Sequence, residues 1–488
     1  MSLFSFPAQS KWGVENMKDA KPVLINSVSG LRGIVGSSLT VENAMQFACV
    51  TGRLLADLST ESKGSIHKTI VIARDSRPSG PLLNHAVSAG LMAMGLDVIE
   101  AGIASTPTVG VLVRQLKTIG AIQITASHNP REWNGMKVFS SDGRVLTADL
   151  ANKLSNHFSH LTTGKDCLQP FWSPVDELGI TTDYTDPHQP HLDLLLDTIN
   201  PECFQQHSLH VVLDSNHGVG SILGTRLLEK FGCRVTCLGQ EPDGDFSHPP
   251  EPLEPHLRDL CRVVSEQQAD VGFALDPDGD RLAVVDNKGH YIGEEYTLAL
   301  AVDHLLSRNK GSVVTNVSTT QAIDDIARKY DCPCFRTKVG EAHVAERMIM
   351  ESALVGGEGN GGVIDPRVGL VRDGFIAMGI ILDRLQADSQ TLHNWVEGLP
   401  QYHMVKDKVE MDTDLVDSLF ENLKKDLLPI SIDQTDGYRF QWDRAWAHIR
   451  PSNTEAIVRV LAEAPTRTEA QRLASQARSI LLERKNCG

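Results

Sequence analysis

Residues 273–286 read FALDPDGDRLAVVD, and this stretch shows how the chain is built: an apolar run ends in a polar cluster, and a second apolar run follows. Similar short runs alternate with segments of helical periodicity over most of the chain, among them TIVIARDS (69–76), GAIQITAS (120–127), LHVVLDS (209–215) and GSVVTNVS (311–318). Strands that alternate with helices form parallel sheets with helices on both faces. The sequence therefore predicts an α/β protein.

Polar breaks at residues 166–190, which contain several prolines, and at 286–295 divide these runs into three groups. TIVIARDS and LHVVLDS both end in Asp and Ser, an echo that suggests copies of one unit. From about residue 400 the pattern changes to a helix, short aromatic strands and a closing helix, which indicates a smaller α+β module. We expect four domains, at residues 1–175, 176–292, 293–400 and 401–488.

Composition limits the class of function. Of the 488 residues, 41% are hydrophobic and 22% are charged, as in folded soluble proteins. A net charge of -16 disfavours nucleic-acid and membrane partners. The start of the chain does not resemble a secretory signal, and no apolar run is long enough for a membrane span. We therefore expect a cytoplasmic protein.

The nine cysteines are spread along the chain, which favours reduced thiols over a disulfide framework. Cys332 and Cys334 form one close pair, and Cys233 and Cys237 form another. Neither pair has the matching second half of a zinc motif, so we expect no zinc at these cysteines.

The first loop with candidate chemistry is ITASHNPREWNGMK (124–137), which places a hydroxyl, an imidazole and an ammonium within a short stretch. A serine-hydrolase elbow requires Gly two residues on either side of the serine, but Thr125 and Asn129 occupy those positions around Ser127. Acyl transfer is thus disfavoured. Taken alone, the loop also fits an ordinary strand-to-helix turn capped by Ser127.

The second loop carries Asp276, Asp278 and Asp280 at alternate positions after a strand. In extended backbone these side chains point the same way. Two like charges about 4 Å apart repel by about 1 kcal/mol in water and about 4 kcal/mol at an effective dielectric near 20, so a semi-buried trio favours a divalent cation. Arg281 and Asn287 stand where a calcium EF-hand requires Gly and an acid, so magnesium is the better candidate. An acidic surface turn is the alternative.

The third loop, GEGNGG (357–362), formally matches the dinucleotide pattern through Gly357, Gly359 and Gly362. No helix pattern follows it, and Glu358 would place a negative charge beside the pyrophosphate, so that interpretation is disfavoured. A compact loop that presents Glu358 and Asn360 to sugar hydroxyls fits better. A plain glycine turn remains open.

The fourth loop, HIRPSNTE (448–455), combines a guanidinium with small donors that suit a phosphate group. An ordinary Ser-Asn-Thr turn is its alternative. Two smaller segments, SGLRG (29–33) and RTKVGEAHV (336–344), also place polar side chains in loops. The candidate residues of these three segments are Arg450, Ser452, Asn453, Thr454, Arg32, Lys338 and Glu341.

SGLRG, TASHNP, DPDGDR, GEGNGG and RPSNTEA occur in this order, and over nearly its whole length the chain resembles the α-D-phosphohexomutase family. The resemblance implies four domains around a central cleft: three similar mixed α/β domains and a C-terminal α+β domain like the TATA-binding protein. It implies interconversion of hexose 6-phosphate and hexose 1-phosphate through a phosphoserine enzyme and a sugar bisphosphate, which also acts as activator. One Mg²⁺ per active site and a monomer or homodimer are further expectations.

The resemblance also implies roles for individual residues. Ser127 would carry the phosphoryl group and, with the three aspartates, bind magnesium. Lys137 would be the general acid/base with His128 in support, while Arg32 and Arg281 would steady the phosphoryl group. Residues that would bind the sugar and its non-reacting phosphate are Lys338, Glu341, Glu358, Asn360, Arg450, Ser452, Asn453 and Thr454.

The family's sugar loop often reads Gly-Glu-x-Ser-Gly, whereas Asn360 replaces the serine here. This departure and the stretch KVGE (338–341) favour phosphoglucosamine mutase, with phosphomannomutase/phosphoglucomutase as the alternative. A non-catalytic sugar-phosphate sensor is the alternative of a different class. A phosphatase is a further one, since a phosphoserine open to water would hydrolyse.

Overall fold

The computed structural model describes residues 23–61, 68–163, 172–199, 208–388, 390–411, 415–452 and 457–485. Four β-sheets follow one another along the chain, each with its own helices. Three are mixed α/β units and the last is α+β, so the predicted fold class is confirmed. Within the described ranges, none of the helices is both long and apolar enough to cross a membrane.

The first sheet has seven strands, and its central strands run parallel. The strands, in chain order, are β1 (Ile25–Ser27), β2 (Gly30–Ile34), β3 (Thr69–Arg74), β4 (Asp97–Ile103), β5 (Gly120–Ile124), β6 (Trp133–Ser140) and β7 (Thr181–Asp183), in the spatial order β1-β2-β6-β5-β3-β4-β7. The helices are α1 (Val41–Glu61), α2 (Gly80–Ala93), α3 (Thr106–Leu116) and α4 (Ala148–Thr163). Helix α5 (Gln189–Thr198) follows β7 and contributes Leu192 and Leu195 to the core of the second and third sheets.

Two features of this sheet differ from the expectations. Strand β6 pairs antiparallel with β5, with Gln123 opposite Lys137, so the serine loop joins two strands instead of a strand and a helix. Strand β7 pairs with β4 through Val98 and Thr181, so the first sheet extends past the boundary expected at residue 175. The expected boundaries after residues 292 and 400 fall just before a helix and a strand, respectively.

The second and third sheets have four strands each. The second contains β8 (His210–Asp214), β9 (Arg234–Leu238), β10 (Val271–Leu275) and β11 (Leu282–Val285), with helices α6 (Gly220–Lys230) and α7 (Arg258–Glu266). The third contains β12 (Val313–Asn316), β13 (Cys334–Thr337), β14 (Val355–Glu358) and β15 (Gly362–Ile364), with α8 (Glu294–Arg308), α9 (Ala322–Lys329), α10 (Glu341–Met350), α11 (Gly374–Ala387) and α12 (Leu392–Glu397).

One four-strand order recurs in all three sheets: β6-β5-β3-β4, β11-β10-β8-β9 and β15-β14-β12-β13. Counted along the chain, the third strand of each unit pairs parallel with the first strand. The fourth strand then returns and pairs antiparallel with the third. The echo between TIVIARDS and LHVVLDS therefore reflects equivalent strands, β3 and β8. The three candidate loops at 125–132, 276–281 and 359–361 occupy the same return turn of their units.

The fourth domain is an antiparallel sheet with helices on it. Its elements are β16 (His403–Glu410), α13 (Leu415–Leu427), β17 (Ser431–Asp433), β18 (Tyr438–Gln441), β19 (Trp446–Pro451), β20 (Ile457–Ala464) and α14 (Arg467–Lys485), with strand order β16-β20-β19-β18-β17. The sequence pattern placed a helix first and missed β16, because half of the residues in HMVKDKVE are charged and the strand is mostly exposed or half-buried.

The buried side chains show which units share a core. Residues of the second and third sheets form one continuous apolar cluster that includes Phe273, Leu298 and Phe375. The first sheet and the fourth domain have separate clusters, around Phe47 and Phe440 respectively. Because close-packed interiors resist deformation, the second and third units are expected to behave as one rigid body.

Candidate active site

Ser127 lies at the carboxyl end of β5 in a strained, buried loop. Its φ of +50° is in the left-handed region, and the residue is 1% exposed. Its backbone N–H donates to Thr125 Oγ1 at 2.8 Å, and its Oγ lies 3.0 Å from Asp276 Oδ2 and 3.3 Å from His128 Nδ1. The fold therefore points this hydroxyl at the aspartate turn of the second unit.

Arg77, which the sequence analysis did not single out, holds the serine loop in place. Its guanidinium is fully buried and donates to four backbone carbonyls of the loop; the acceptors are Ser127 O (2.7 Å), Asn129 O (2.6 Å), Pro130 O (2.5 Å) and Trp133 O (3.0 Å). Asp75 accepts from Arg77 Nε at 3.0 Å and from Thr125 Oγ1 at 2.7 Å. The only sequence signal for this role of Arg77 was the polar segment ARDSR (73–77) at the end of β3.

The three aspartates converge, but for a different reason from the one expected. The chain makes a tight turn instead of continuing extended: Gly279 has φ +70° and donates its N–H to Asp276 O at 2.9 Å. All three carboxylates are fully buried, and one ligand oxygen from each lies within 4.8 Å of the others. The turn, not strand alternation, brings them together.

Cations from the first and third units surround this turn. Lys137 Nζ lies 3.0 Å from both Asp278 Oδ2 and Asp280 Oδ2. Arg372 donates to Asp280 Oδ2 at 2.7 Å, and Arg281 Nε is 3.8 Å from the other oxygen of Asp280. These positive charges offset the repulsion within the trio.

The surroundings shift the pKa values of these groups in opposite directions. Burial, and then the charges of Asp278 and Asp280, raise the pKa of Asp276 well above its usual range. Burial also acts to raise the pKa of Asp280, but Arg372, Lys137 and Arg281 outweigh it and hold that pKa below its usual range. Burial would lower the pKa of Lys137, yet Asp278 and Asp280 raise it.

Two carboxylate oxygens of the trio have no hydrogen-bond partner among the described residues, which leaves them available to a metal ion. Asp278 Oδ1 and Asp280 Oδ1 are buried and accept no hydrogen bond from the residues that the structure describes. Unpaired buried carboxylate oxygens are costly unless a cation binds them. Ser127 Oγ, beside Asp276, completes an all-oxygen donor set of the kind Mg²⁺ prefers.

Two further predicted residues border Ser127. Arg32 donates to Asn129 Oδ1 at 3.2 Å, and burial lowers its pKa while the nearby Asp278 opposes that change. The positive charge of Arg281, together with burial, keeps the pKa of His128 well below its usual value, so this imidazole is neutral near pH 7. A neutral imidazole can accept a proton from a hydroxyl.

The glycine loop forms the β14–β15 hairpin and presents Glu358 inward. Glu358 accepts from Asn316 Nδ2 at 2.8 Å, Gly340 N at 3.0 Å and Arg372 at 2.8 Å. Asn360 is half-buried and accepts from Gly362 N at 3.2 Å, which closes the turn. The loop is therefore a rigid hairpin beside the aspartate turn.

The KVGE stretch has one buried and one exposed charged residue. Glu341 is buried, accepts from Arg372 N at 2.7 Å, and has a pKa raised by its burial. Lys338 is exposed. Glu341 thus belongs to the inner cluster through Arg372.

The fourth-domain segment at Arg450 approaches the KVGE stretch of the third unit through Asp436. Arg450 lies 3.8 Å from Asp436 Oδ2, which in turn accepts from Val339 N of the third unit at 3.0 Å. Burial lowers the pKa of Arg450, while Asp436 and the more distant Glu358 act to raise it. Ser452 N donates to Ile457 O at 2.9 Å. Asn453 and Thr454 lie outside the described residues.

The structure thus brings most of the predicted residues into one continuous network. Ser127 contacts Asp276, the aspartate turn contacts Lys137 and Arg372, and Arg372 contacts Glu341 and Glu358. Four contributors were not identified from sequence: Asp75, Arg77, Arg372, and Thr106, which donates to Asp278 Oδ2 at 2.6 Å. The network can hold a metal ion and a phosphoryl group beside a hydroxyl.

Models of known protein families match the chain in four consecutive segments. Residues 25–165, 189–289 and 293–402 match the alpha/beta/alpha domains I, II and III of phosphoglucomutase/phosphomannomutase. Residues 406–480 match the C-terminal domain of the same family. These ranges follow the four sheets in order.

Relatives match over nearly full length. A phosphoglucomutase/phosphomannomutase from Thermococcus kodakarensis is 32% identical over 447 residues, which cover 91% of this chain and 95% of the relative. A Methanopyrus kandleri protein named "Probable phosphoglucosamine mutase" is also 32% identical, with 91% and 95% coverage. A crystal structure of a family protein from Burkholderia thailandensis has a TM-score of 0.79 at 26% identity and covers 94% of this chain and 96% of that one.

Proposed function

Because the chain belongs to the phosphoglucomutase/phosphomannomutase family, we propose that it is a magnesium-dependent phosphohexomutase whose preferred substrate is glucosamine phosphate. The observation that carries the proposal is the position of Ser127 Oγ, 3.0 Å from one carboxylate of a buried trio and within a ring of cations. Such a site suits phosphoryl transfer, which depends mainly on positioning and charge neutralisation.

In the proposed reaction, a sugar hydroxyl attacks the phosphorus of phosphorylated Ser127. The bond between phosphorus and Ser127 Oγ breaks, the new bond to the sugar oxygen forms, and the hydroxyl proton passes to a nearby base. Lys137 is the predicted general acid/base, and because Asp278 and Asp280 raise its pKa despite its burial, it is charged and suits the acid half of that role. The neutral His128 can accept the proton. Bound magnesium would supply charge neutralisation at Ser127 and the three aspartates.

The sugar bisphosphate formed in this step then turns end for end, and its other phosphate returns to Ser127. Glu358 and Asn360 read the sugar hydroxyls from the β14–β15 hairpin. Arg450 and Ser452, with Asn453 and Thr454 of the same loop, hold the phosphate that is not reacting. A remote phosphate held in this way positions the reacting end.

The preference for glucosamine phosphate rests on Asn360 and the KVGE stretch, and the Methanopyrus kandleri relative bears a matching name. Phosphomannomutase/phosphoglucomutase is the second candidate, since the Thermococcus kodakarensis relative carries that name at the same identity. Both candidates use the same serine and the same aspartate turn.

The test compares glucosamine 6-phosphate, mannose 1-phosphate and glucose 1-phosphate with magnesium and a bisphosphate primer. We expect isomer formation with all active substrates to disappear in Ser127→Ala, while Ser475→Ala, at an exposed serine of α14, keeps the wild-type rate. Binding without isomerisation would identify a sensor, and phosphate release that exceeds isomer formation would identify a phosphatase. Full activity of Ser127→Ala would overturn the site.

A further inference from the structure

A second cluster of ligating side chains lies at the other end of β11, away from the aspartate turn. Asp286 directly follows this strand, and its carboxylate is almost fully buried. One oxygen, Oδ1, accepts from the backbone N–H groups of Lys288 and His290, both at 2.9 Å. The turn therefore fixes the carboxylate and leaves Oδ2 to face other groups.

Two imidazoles converge on that free oxygen. His393 Nδ1 lies 2.7 Å from Asp286 Oδ2, and His290 Nδ1 lies 3.4 Å from it. The rings are 5.9 Å apart at 56°. His290 comes from the same turn as Asp286, whereas His393 is on α12 of the third unit.

We propose that Asp286, His290 and His393 bind a divalent transition-metal ion, with zinc as the best match. Their ligand atoms lie within 4.8 Å of one another. Two ligands of a tetrahedral zinc ion are about 3.3 Å apart for bonds of about 2.0 Å. The 3.4 Å separation already fits, and the 2.7 Å pair must open by roughly half an ångström when its shared proton leaves.

The surroundings of His393 support this assignment. Its Nε2 lies 3.3 Å from Glu397 Oε1, one helical turn away. Metal-binding histidines usually donate their second N–H to a carboxylate, which orients the ring. The backbone N–H of His393 also donates to Asn287 Oδ1 at 3.1 Å, which joins the start of α12 to the turn.

The donor set separates this cluster from the aspartate turn. The turn at 276–280 offers oxygens alone, which suit magnesium, whereas two imidazole nitrogens with one carboxylate suit zinc, cobalt or nickel. The four-residue strand β11, roughly 13 Å long, lies between the two clusters. A metal here would join the second unit to α12 of the third without contacting the substrate.

The test is a titration of the full chain with Co²⁺ and, separately, with Zn²⁺, in a large excess of Mg²⁺. We expect one equivalent of Co²⁺ to bind with the visible absorption of a tetrahedral site, and the same binding in Asp278→Asn, which removes a carboxylate of the other cluster. His290→Gln should weaken the affinity at least tenfold, as should His393→Gln. His85→Gln, at an exposed histidine of α2, should bind like the wild type.

Because His290 is 66% exposed, its replacement should leave the fold intact, which a circular dichroism spectrum checks. Glu397→Gln should weaken the affinity less than either histidine variant does. The proposal is overturned if His290→Gln binds Co²⁺ as the wild type does, or if all Co²⁺ binding disappears in Asp278→Asn. An ordinary Asp–His ion pair would then be the correct interpretation.

Discussion

The aspartate turn at 276–281 and the fourth-domain loop at 450–452 represent two opposite ways of building a site. Every carboxylate of the turn is fully buried and contacts groups from other units, such as Lys137 and Arg372. Arg450 keeps 15% of its side chain exposed and lies 3.8 Å from its ion-pair partner Asp436. The side chains of the first region are tightly packed, whereas the Arg450 side chain, at the end of β19, is partly exposed and its ion pair is long.

The difference matches what each region is proposed to do. Groups that contact the moving phosphoryl must stay within a fraction of an ångström of their working positions. A loop that holds the remote phosphate must accept either end of the sugar, so a tight fit to one geometry would be a disadvantage. Substitutions in the two regions should therefore differ in size and in kind.

The largest effect is expected for Asp278→Asn, which removes one charge from the trio. We expect kcat to fall by about three orders of magnitude, since preorganised charge is a dominant contribution to such chemistry. Steady-state assays with magnesium measure it. Asp259→Asn, at a surface position on α7, is the matched control and should retain the wild-type kcat. A loss of less than tenfold would show that the turn is not where the chemistry occurs.

A smaller loss, about a hundredfold in kcat, is expected for Arg77→Lys. A lysine cannot donate to four carbonyls at once, so the Ser127 loop should shift by up to about 1 Å. KM should change little, because Arg77 contacts the loop and not the sugar. Arg53→Lys, on the exposed face of α1, serves as control. A rise in KM with unchanged kcat would contradict this positioning role.

For Arg450→Ala we expect KM to rise about tenfold, with a much smaller change in kcat. The guanidinium is partly exposed, so its contribution to phosphate binding is moderate. The exposed Arg472 of α14 offers a matched Arg→Ala control. If Arg450→Ala behaved like Asp278→Asn, with kcat lost and KM unchanged, the distinction between the two regions would fail.

The smallest effect concerns acid sensitivity at the contact between the third and fourth units. His448 is fully buried between Ser318 Oγ (2.9 Å) and Asp436 O (2.5 Å), and burial lowers its pKa to about 4. The unfolded chain has an ordinary histidine pKa near 6.5, so it binds more protons below that pH. Stability is therefore fully present above about pH 6.5 and falls between pH 6.5 and 4.

The loss assigned to His448 at pH 5 is about 2 kcal/mol, from the difference between the two pKa values. His448→Gln should start less stable at pH 7 but lose less on acidification to pH 5, which thermal unfolding at both pH values measures. His85→Gln should keep the wild-type dependence, because His85 is exposed. Equal pH dependence in His448→Gln and the wild type would refute the assignment.

The sequence pointed to the candidate site where polar side chains are concentrated in one return turn. The serine loop and the aspartate turn each place their polar residues consecutively after an apolar strand, and such strands read clearly because their residues are buried on both faces. The grouping of the strand runs and the change of pattern near residue 400 then indicated four domains. These parts of the fold and site were predictable from local pattern.

What sequence reasoning missed depends on contacts between distant segments. Arg372 and Thr106 reach the aspartate turn from 92 and 172 residues away, and no spacing rule connects them to it. Arg77 lies after a different strand from the loop that it holds. The prediction that the three aspartates converge was confirmed. Its expected cause was wrong, because the turn at Gly279 requires a backbone conformation that residue alternation does not reveal.

The position of Arg372 has a further consequence. One guanidinium contacts Asp280 at 2.7 Å and Glu358 at 2.8 Å, so the aspartate turn and the β14–β15 hairpin share a single cation. A ligand that moves Glu358 away from Arg372 should alter the hydrogen bond from Arg372 to Asp280. By thermodynamic linkage, an ion that binds Asp280 should then alter the affinity for that ligand by the same factor. Sugar phosphate and magnesium should therefore change each other's affinity by the same factor, about 5 to 150-fold for a typical coupling free energy. Magnesium titrations with and without sugar phosphate measure that factor, and Arg372→Lys should bring it close to one.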